Sequence, residues 1–135
     1  MTILILQPVR PTNPPALRER ADALLRTLVA ANPALSFDVA QDDSAVAVPA
    51  HPSQYMRHAT VRNYMLDRYL LPEHTHVLWI DSDLIAYPPE LPRLLMAHAP
   101  AIVAPFAMLD HWPNRFYDIG GFIEQGSRAR MWPPF

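Results

Sequence analysis

Short apolar runs rich in β-branched residues alternate along this chain with stretches of helical spacing, and this alternation restricts the folds open to it. Strands and helices that alternate in this way build a mostly parallel sheet with helices packed against its faces. At 135 residues the chain has the size of one domain. We therefore expect a single three-layer α/β/α domain over residues 1–135. The predicted strands cover residues 3–6, 35–40, 76–80 and 101–104.

Proline positions and apolar spacing predict the first two helices. Asn13 is expected to cap the first helix, with Pro14 as its first residue, because a proline at that position loses no hydrogen bond. Leucines and alanines then recur on one face until about residue 32. The second helix is predicted over about residues 55–70 and ends before Pro72.

The rest of the chain shows weaker patterns. Residues 41–44 predict a polar turn. A third helix is predicted to open at residues 87–89, with Leu91, Leu94 and Leu95 facing inward. The last thirty residues are aromatic and hold every glycine, and they show no regular spacing, which predicts irregular structure.

The composition excludes several kinds of chemistry. All eleven basic residues are arginine, so no lysine is present for a Schiff base or a P-loop. The three glycines come at or after residue 120, which excludes the glycine-rich loop of dinucleotide-binding proteins. No cysteine is present for disulfides or zinc–thiolate sites. With a net charge of −2 and no run of like charge, a nucleic-acid partner is not expected.

The first residues predict a location. Met1 leads directly into an apolar run at residues 2–6 without the basic segment of a signal peptide, and the run is too short to cross a membrane. We expect a cytoplasmic protein without a transmembrane segment.

Asp81, Ser82 and Asp83 directly follow the predicted strand at residues 76–80, which is apolar enough to be covered on both faces. Nine aspartates in this length give roughly 0.6 such pairs by chance, so the position of the pair matters more than its spacing. Open α/β sheets bind ligands at the carboxyl ends of their strands. Two neighbouring carboxylates there need a cation, and oxygen ligands suit Mg²⁺ or Mn²⁺ shared with a diphosphate. The alternative is that both aspartates cap the next helix or end the strand in solvent.

The region around these aspartates resembles a known family. Residues 77–98 are similar to the DxD region of GT-A glycosyltransferases, and most similar to the fungal Golgi α-mannosyltransferases of the mannan polymerase. Segments at residues 4–10, 59–63 and 116–124 resemble further parts of that family in the same order. The resemblance implies a GT-A type fold, minimal or truncated because the chain ends at Phe135 before the usual acceptor-binding half.

The resemblance also implies roles in donor binding. Asp83 would coordinate the metal, Asp81 would contact the metal or the ribose, and Arg62 would lie against the diphosphate or the donor sugar. The alternatives are structural. Arg62, on a helix, is equally expected to be solvated or paired with an acid, and Arg10, in a loop, is expected to be exposed. The implied donor-binding residues are Pro8, Val9, Arg10, Arg62, Asn63, Asp81, Ser82 and Asp83.

The candidates for catalysis are Asp118 and Glu124, which lie in the stretch that resembles an aromatic and acidic segment of the family. A late histidine or acid often completes the metal shell in such enzymes, and His111 is the candidate in this chain. Aromatic neighbours such as Tyr117 are explained equally well as core residues.

These features predict a metal-dependent glycosyltransferase, a hexosyltransferase that moves a sugar such as mannose from a GDP- or UDP-linked donor to a glycan or other acceptor. One alternative is a non-catalytic module or subunit that binds the nucleotide sugar without turnover. Another is a haloacid-dehalogenase phosphatase, but that class needs a downstream lysine, which the chain lacks. The apolar tail at residues 131–135 favours either a homo- or hetero-oligomer or packing on the sheet.

Overall fold

The computed structural model describes residues 1–9, 12–42, 54–98, 108–109, 112–116, 123–124 and 127–128. The chain divides into two compact units, Met1–Leu94 and Leu95–Phe135. No helix in the described part is long and apolar enough to cross a membrane. The elements of the first unit are β1 (Thr2–Pro8), α1 (Pro15–Ala31), β2 (Ser36–Asp42), α2 (Gln54–Tyr69), β3 (His74–Trp79) and most of α3 (Leu91–Met96).

The sheet of the first unit is parallel, in the order β2-β1-β3. β1 is therefore central: Leu4 faces Asp38 of β2 on one side and Val77 of β3 on the other. Parallel neighbours cannot be joined by a tight turn, and α1 and α2 provide the two crossovers. The predicted α/β fold with a parallel sheet is confirmed.

The two crossover helices lie on opposite faces of the sheet. Leu4 and Leu6 of β1 pack in one cluster with Met65 of α2. Gln41 of β2 donates a hydrogen bond to Asp22 of α1, with 2.7 Å between Nε2 and Oδ1. Successive side chains of a strand point to opposite faces, so Leu4 and Gln41, given the strand register, stand on different sides of the sheet. This is the three-layer arrangement that the strand and helix alternation predicts.

β1 is the most deeply buried element of the unit. Ile3, Leu4, Ile5 and Leu6 are each no more than 2% exposed. Burying a side chain of this size contributes about 1.5–3 kcal/mol, and the alternation of the strand divides that gain between the two faces. The strand that leads into the candidate site is thus held firmly by the core.

Helix α1 begins one residue later than predicted. Pro14 is its N-cap and Pro15 its first residue, and the N–H of Leu17 donates to the carbonyl oxygen of Pro14. Either of two consecutive prolines satisfies the preference for proline in the first turn, so the sequence does not distinguish the two starts. Asn13 is not the cap, because its side chain donates instead to Ser82.

β1 and β2 extend further at their carboxyl ends than predicted. β1 runs to Pro8 and β2 to Asp42, so the predicted polar turn at residues 41–44 begins inside a strand. Pro8 is tolerated because it is the last residue of its strand. The next N–H, that of Val9, donates to the carbonyl oxygen of Asp42 at 2.9 Å. Polar residues therefore continue both strands to the edge that carries the candidate site.

β3 and α3 are less covered than predicted. His76 and Val77 are exposed, because β3 lies at one edge of the described sheet, so the prediction of a strand covered on both faces is wrong. In α3, Leu91 is buried but Leu94 is 52% exposed, which contradicts its predicted inward position. α3 has only six residues, and its first turn, tied by the N–H of Leu91 to the oxygen of Pro88, is the part that packs inward.

The described residues of the second unit include two short hairpins where irregular structure is predicted. β4 (Met108–Leu109) pairs antiparallel with β5 (Trp112–Phe116), and β6 (Ile123–Glu124) pairs antiparallel with β7 (Ser127–Arg128). Strands of two residues are too short for alternation to be visible in a sequence. The strand predicted at residues 101–104 lies outside the described residues.

Candidate functional site

The carboxyl ends of β1 and β3 meet where the strand order of the sheet reverses. The chain passes from β1 to β2 on one side of β1. It then crosses back over β1, so that β3 lies on the other side of it. Ligands of open α/β sheets bind in the crevice at such a switch point. Pro8 and Val9 end the β1 side, and residues 81–83 follow β3. Ile80 still donates its N–H to the carbonyl oxygen of Leu6, at 3.1 Å, so the two sides stay paired up to the site.

A side-chain hydrogen bond joins the loops that follow β1 and β3. Asn13 Nδ2 donates to Ser82 Oγ at 3.1 Å. Ser82 is 8% exposed, whereas Asp81 and Asp83 on either side of it are exposed. The serine thus anchors the turn, and the two carboxylates remain accessible to solvent and to a ligand.

Asn13 is a site residue that sequence reasoning misses. An asparagine ahead of a proline-rich helix start is a common N-cap, which is how the sequence interprets it. Its actual partner lies 69 residues further along the chain. A contact of that range leaves no local pattern, so no feature of the sequence could have revealed it.

Arg62 of α2 reaches the same edge. Its Nη2 lies 3.8 Å from Oδ1 of Asp81, and the two side chains are 50% and 53% exposed. Its guanidinium carbon also lies 5.5 Å from the centroid of the Trp79 ring. A half-exposed ion pair of this kind contributes only about 0.2–1 kcal/mol to stability. Its importance is that it positions the Arg62 guanidinium beside Asp81. Asn63, the next residue of α2, is exposed.

An open cleft of about 270 Å³ lies beside the switch point, on the side of α1. Gln41 and Asp22 line one wall of the cleft and are joined by a hydrogen bond from Gln41 Nε2 to Asp22 Oδ1 at 2.7 Å. Gln41 Nε2 also donates to Gln7 Oε1 at 2.8 Å. The sequence does not predict this wall, because charged and amide residues at helix and strand ends look the same whether they face solvent or a cleft. The lining residues are Val9, Arg18, Ala21, Asp22, Gln41 and Ser82.

Asp81 and Asp83 are two exposed carboxylates at this edge that could hold a divalent metal. Within the described ranges, no three His, Cys, Asp or Glu side chains are grouped closely enough to form a site from protein ligands alone. Mg²⁺ at nucleotide sites is usually bound by one or two carboxylates, with waters and substrate phosphates completing its shell. Two exposed carboxylates on either side of an anchored serine fit a site of that type.

The structure leaves other predicted site residues undecided. Arg10, His111 and Asp118 lie outside the described residues. Glu124 belongs to β6 in the second unit, and only its backbone is described. Their predicted roles in base binding, metal binding and catalysis therefore stay predictions.

Tyr87 carries a polar atom that the sequence does not single out. Its hydroxyl is buried and has no hydrogen-bond partner in the described part of the chain. Burial raises the pKa of Tyr87 to about 12, so its hydroxyl keeps its proton at every physiological pH. This group bears on stability more than on chemistry.

Comparison with known proteins identifies a family. A family model described as Anp1 matches residues 35–131, which is most of the chain. The matched stretch contains Arg62, Asp81, Ser82 and Asp83 and begins after β1 and α1. No curated protein and no solved structure matches the chain.

Proposed function

The chain belongs to the Anp1 family, a glycosyltransferase family, and from this premise we propose that it is a metal-dependent transferase of the GT-A type. In this proposal it binds a GDP- or UDP-linked sugar such as mannose at the carboxyl edge of the β2-β1-β3 sheet. Mn²⁺ or Mg²⁺ is held by Asp81 and Asp83, and the sugar passes to a glycan or other acceptor. The family membership and the position of the carboxylates support this function together.

The observation that carries the proposal is the anchored turn after β3. Ser82 is buried and accepts a hydrogen bond from Asn13, while Asp81 and Asp83 stay exposed at the switch point. A metal shared with a diphosphate needs carboxylates that are both fixed in place and open to the ligand.

Different residues near the turn bind different parts of the donor. When bound, the metal supplies positive charge that stabilises the departing nucleoside diphosphate. The cleft that includes Val9 and Gln41 receives the nucleoside. Arg62, on the opposite side of the turn, contacts the diphosphate, where a planar guanidinium can bind two oxygens at once. Our candidates for catalysis are Asp118 and Glu124, and His111 is our candidate for a further metal ligand.

The first test is calorimetric titration of GDP and of UDP into the protein, with and without Mn²⁺. We expect one nucleotide to bind only with metal present, and Asp83→Ala to weaken that binding by at least about 100-fold, since even outer partners of metal ligands change affinity 10- to 100-fold. Asp67→Ala removes an exposed carboxylate from α2 and is the matched control, with affinity unchanged. If folded wild-type protein binds neither nucleotide with metal, the proposed function is wrong.

Transfer itself needs a second measurement. Release of the nucleoside diphosphate from GDP-mannose and from a set of UDP-hexoses, followed with a mixture of glycan acceptors, should depend on both metal and acceptor for the donor whose nucleotide binds. Metal-dependent nucleotide binding without any release under these conditions would contradict the transferase and identify a binding module.

A further inference from the structure

Arg62 is held between two groups of the candidate site. One is the Asp81 carboxylate, 3.8 Å from Nη2, and the other is the face of Trp79, 5.5 Å from the guanidinium carbon to the ring centroid. Trp79 is the last residue of β3, two positions before Asp81. The contact with the aromatic ring is therefore still available to the guanidinium when the ion pair opens.

The ion pair is suited to exchange. Both side chains are about half exposed, and 3.8 Å is near the upper limit for an ion pair. Exposed pairs of this kind change an equilibrium by no more than about fivefold. A ligand that interacts strongly with Asp81 can therefore displace Arg62 at little cost.

A metal on Asp81 and an arginine on Asp81 compete. Both are cations that seek the same carboxylate oxygens, and like charges a few ångströms apart repel each other. A guanidinium displaced from Asp81 would still have the Trp79 face as a partner, and a diphosphate on the metal would bring negative charge within its reach. Guanidinium groups bind phosphate oxygens through two parallel hydrogen bonds, which are stronger than neutral ones.

We propose that Arg62 is an exchangeable counter-ion, which neutralises Asp81 in the ligand-free protein and transfers to the donor diphosphate when the metal takes Asp81. The inference rests on the proposed function and adds a preference between ligands to it. The metal alone must compete with Arg62 for Asp81, whereas the metal with a nucleoside diphosphate gives Arg62 a new partner, the diphosphate. Arg62 thereby favours the complete metal–nucleotide complex over the bare metal.

This exchange predicts opposite effects of one substitution. In Arg62→Gln, Mn²⁺ alone should bind about two- to fivefold more tightly, because its competitor is gone. GDP or UDP, titrated at saturating Mn²⁺, should bind at least about tenfold more weakly, because a charge-assisted bond to phosphate is lost. An arginine that only stabilised the fold would weaken both, and one that only bound the donor would leave Mn²⁺ binding unchanged.

Calorimetry on matched variants tests the prediction. Arg68→Gln removes the same charge from the same helix, where Arg68 lies against Tyr64 and Tyr69, and should change neither affinity by more than about twofold. Arg62→Lys keeps the charge but loses the planar fork. It should bind Mn²⁺ as the wild type does and the nucleotide more weakly, and it serves as the second variant if Arg62→Gln does not fold.

Trp79 provides an optical readout that does not depend on activity. Mg²⁺ is diamagnetic and does not quench tryptophan by paramagnetism, so we expect titration with Mg²⁺ to change Trp79 emission because the guanidinium over the ring loses its carboxylate partner. The change should be present in the wild type, absent in Arg62→Gln and absent in Trp79→Phe.

The outcomes separate the two proposals. If Arg62→Gln binds Mn²⁺ no more tightly than the wild type while Asp83→Ala abolishes binding, the exchange is overturned and the metal site stands. If the wild type binds no Mn²⁺, with or without GDP or UDP, the proposed function fails and the exchange fails with it. The exchange is supported only if Arg62→Gln binds Mn²⁺ more tightly than the wild type and binds GDP or UDP more weakly.

Discussion

Ser82 lies between two exposed carboxylates and is itself only 8% exposed. Its hydroxyl accepts the amide hydrogen of Asn13, so each neutral side chain satisfies the other in a partly buried position. Restricting Ser82 also restricts Asp81 and Asp83, its covalent neighbours. At the scale of single residues, the geometry of a charged site is therefore set by an uncharged pair.

We expect Asn13→Ala to weaken Mn²⁺ binding by up to about tenfold, because its bond to Ser82 fixes the turn that carries both proposed ligands, and outer groups that orient metal ligands change affinity by this much or more. Titration calorimetry on folded protein measures the change. Ser82→Ala should act similarly, and the double variant should be no weaker than either single one, since both act through one bond. Losses that add up would contradict this account.

The carboxylates of the site could be predicted from sequence, and its cleft could not. Asp81 and Asp83 carry a recognisable chemistry and directly follow an apolar strand. Arg18, Asp22 and Gln41 are polar residues at ordinary positions of a helix and a strand end. Only the packing of α1 against the sheet turns them into a cleft wall.

At the scale of elements, His74 ties β3 to its surroundings at the end of the sheet opposite the site. The imidazole is 1% exposed and accepts the N–H of Leu71 at Nδ1, 2.9 Å away. A backbone N–H can only donate, so Nδ1 carries no proton in this arrangement. Nε2 then donates to Oδ2 of Asp38 on β2 at 2.9 Å. The imidazole of His74 therefore links the two outer strands, β3 and β2, which have β1 between them.

We expect His74→Ala to lower the free energy of unfolding by about 1–3 kcal/mol, since it removes a buried ring together with its hydrogen bonds to Leu71 and Asp38. His76→Ala is the control from the same strand: His76 is exposed, and we expect a change within about 0.5 kcal/mol. Urea denaturation measures both. Equal losses in the two variants would refute a specific role for His74.

Element positions were largely predictable, and element ends were not. Apolar spacing located both long helices, because burial of one face imposes it. The start of α1 depends on which of two prolines begins it, and the ends of β1 and β2 are polar residues that resemble a turn. In each case a contact distant in sequence decides the boundary.

At the scale of the whole molecule, Tyr87 links stability to alkaline pH. Its hydroxyl is buried without a partner in the described part of the chain, and burial raises its pKa from 10.0 to about 12. Below pH 10 both folded and unfolded chains keep the proton. Between pH 10 and 12 the unfolded chain loses the proton and the folded protein keeps it, so the free energy of unfolding falls as pH rises.

We expect Tyr87→Phe to leave the free energy of unfolding at pH 7 unchanged or to raise it by up to about 1 kcal/mol, because an unpaired buried hydroxyl is removed. From pH 10 upwards, the variant should lose stability less steeply than the wild type. Urea denaturation at pH 7, 9, 10.5 and 11.5 measures both effects. Parallel curves for the two proteins would show that the Tyr87 hydroxyl is not buried in solution.

The central position of β1 has a consequence for the synthesis of the chain. β1 is translated before β2 and β3, yet it pairs with both, and no hairpin partner is available to it meanwhile. At about 5–20 residues per second, the ribosome takes on the order of several seconds to make the residues that separate β1 from β3. During that time a run of four large apolar side chains has at least one free strand edge. The strand that is most completely enclosed in the finished protein is thus the one that waits longest for its neighbours on the nascent chain.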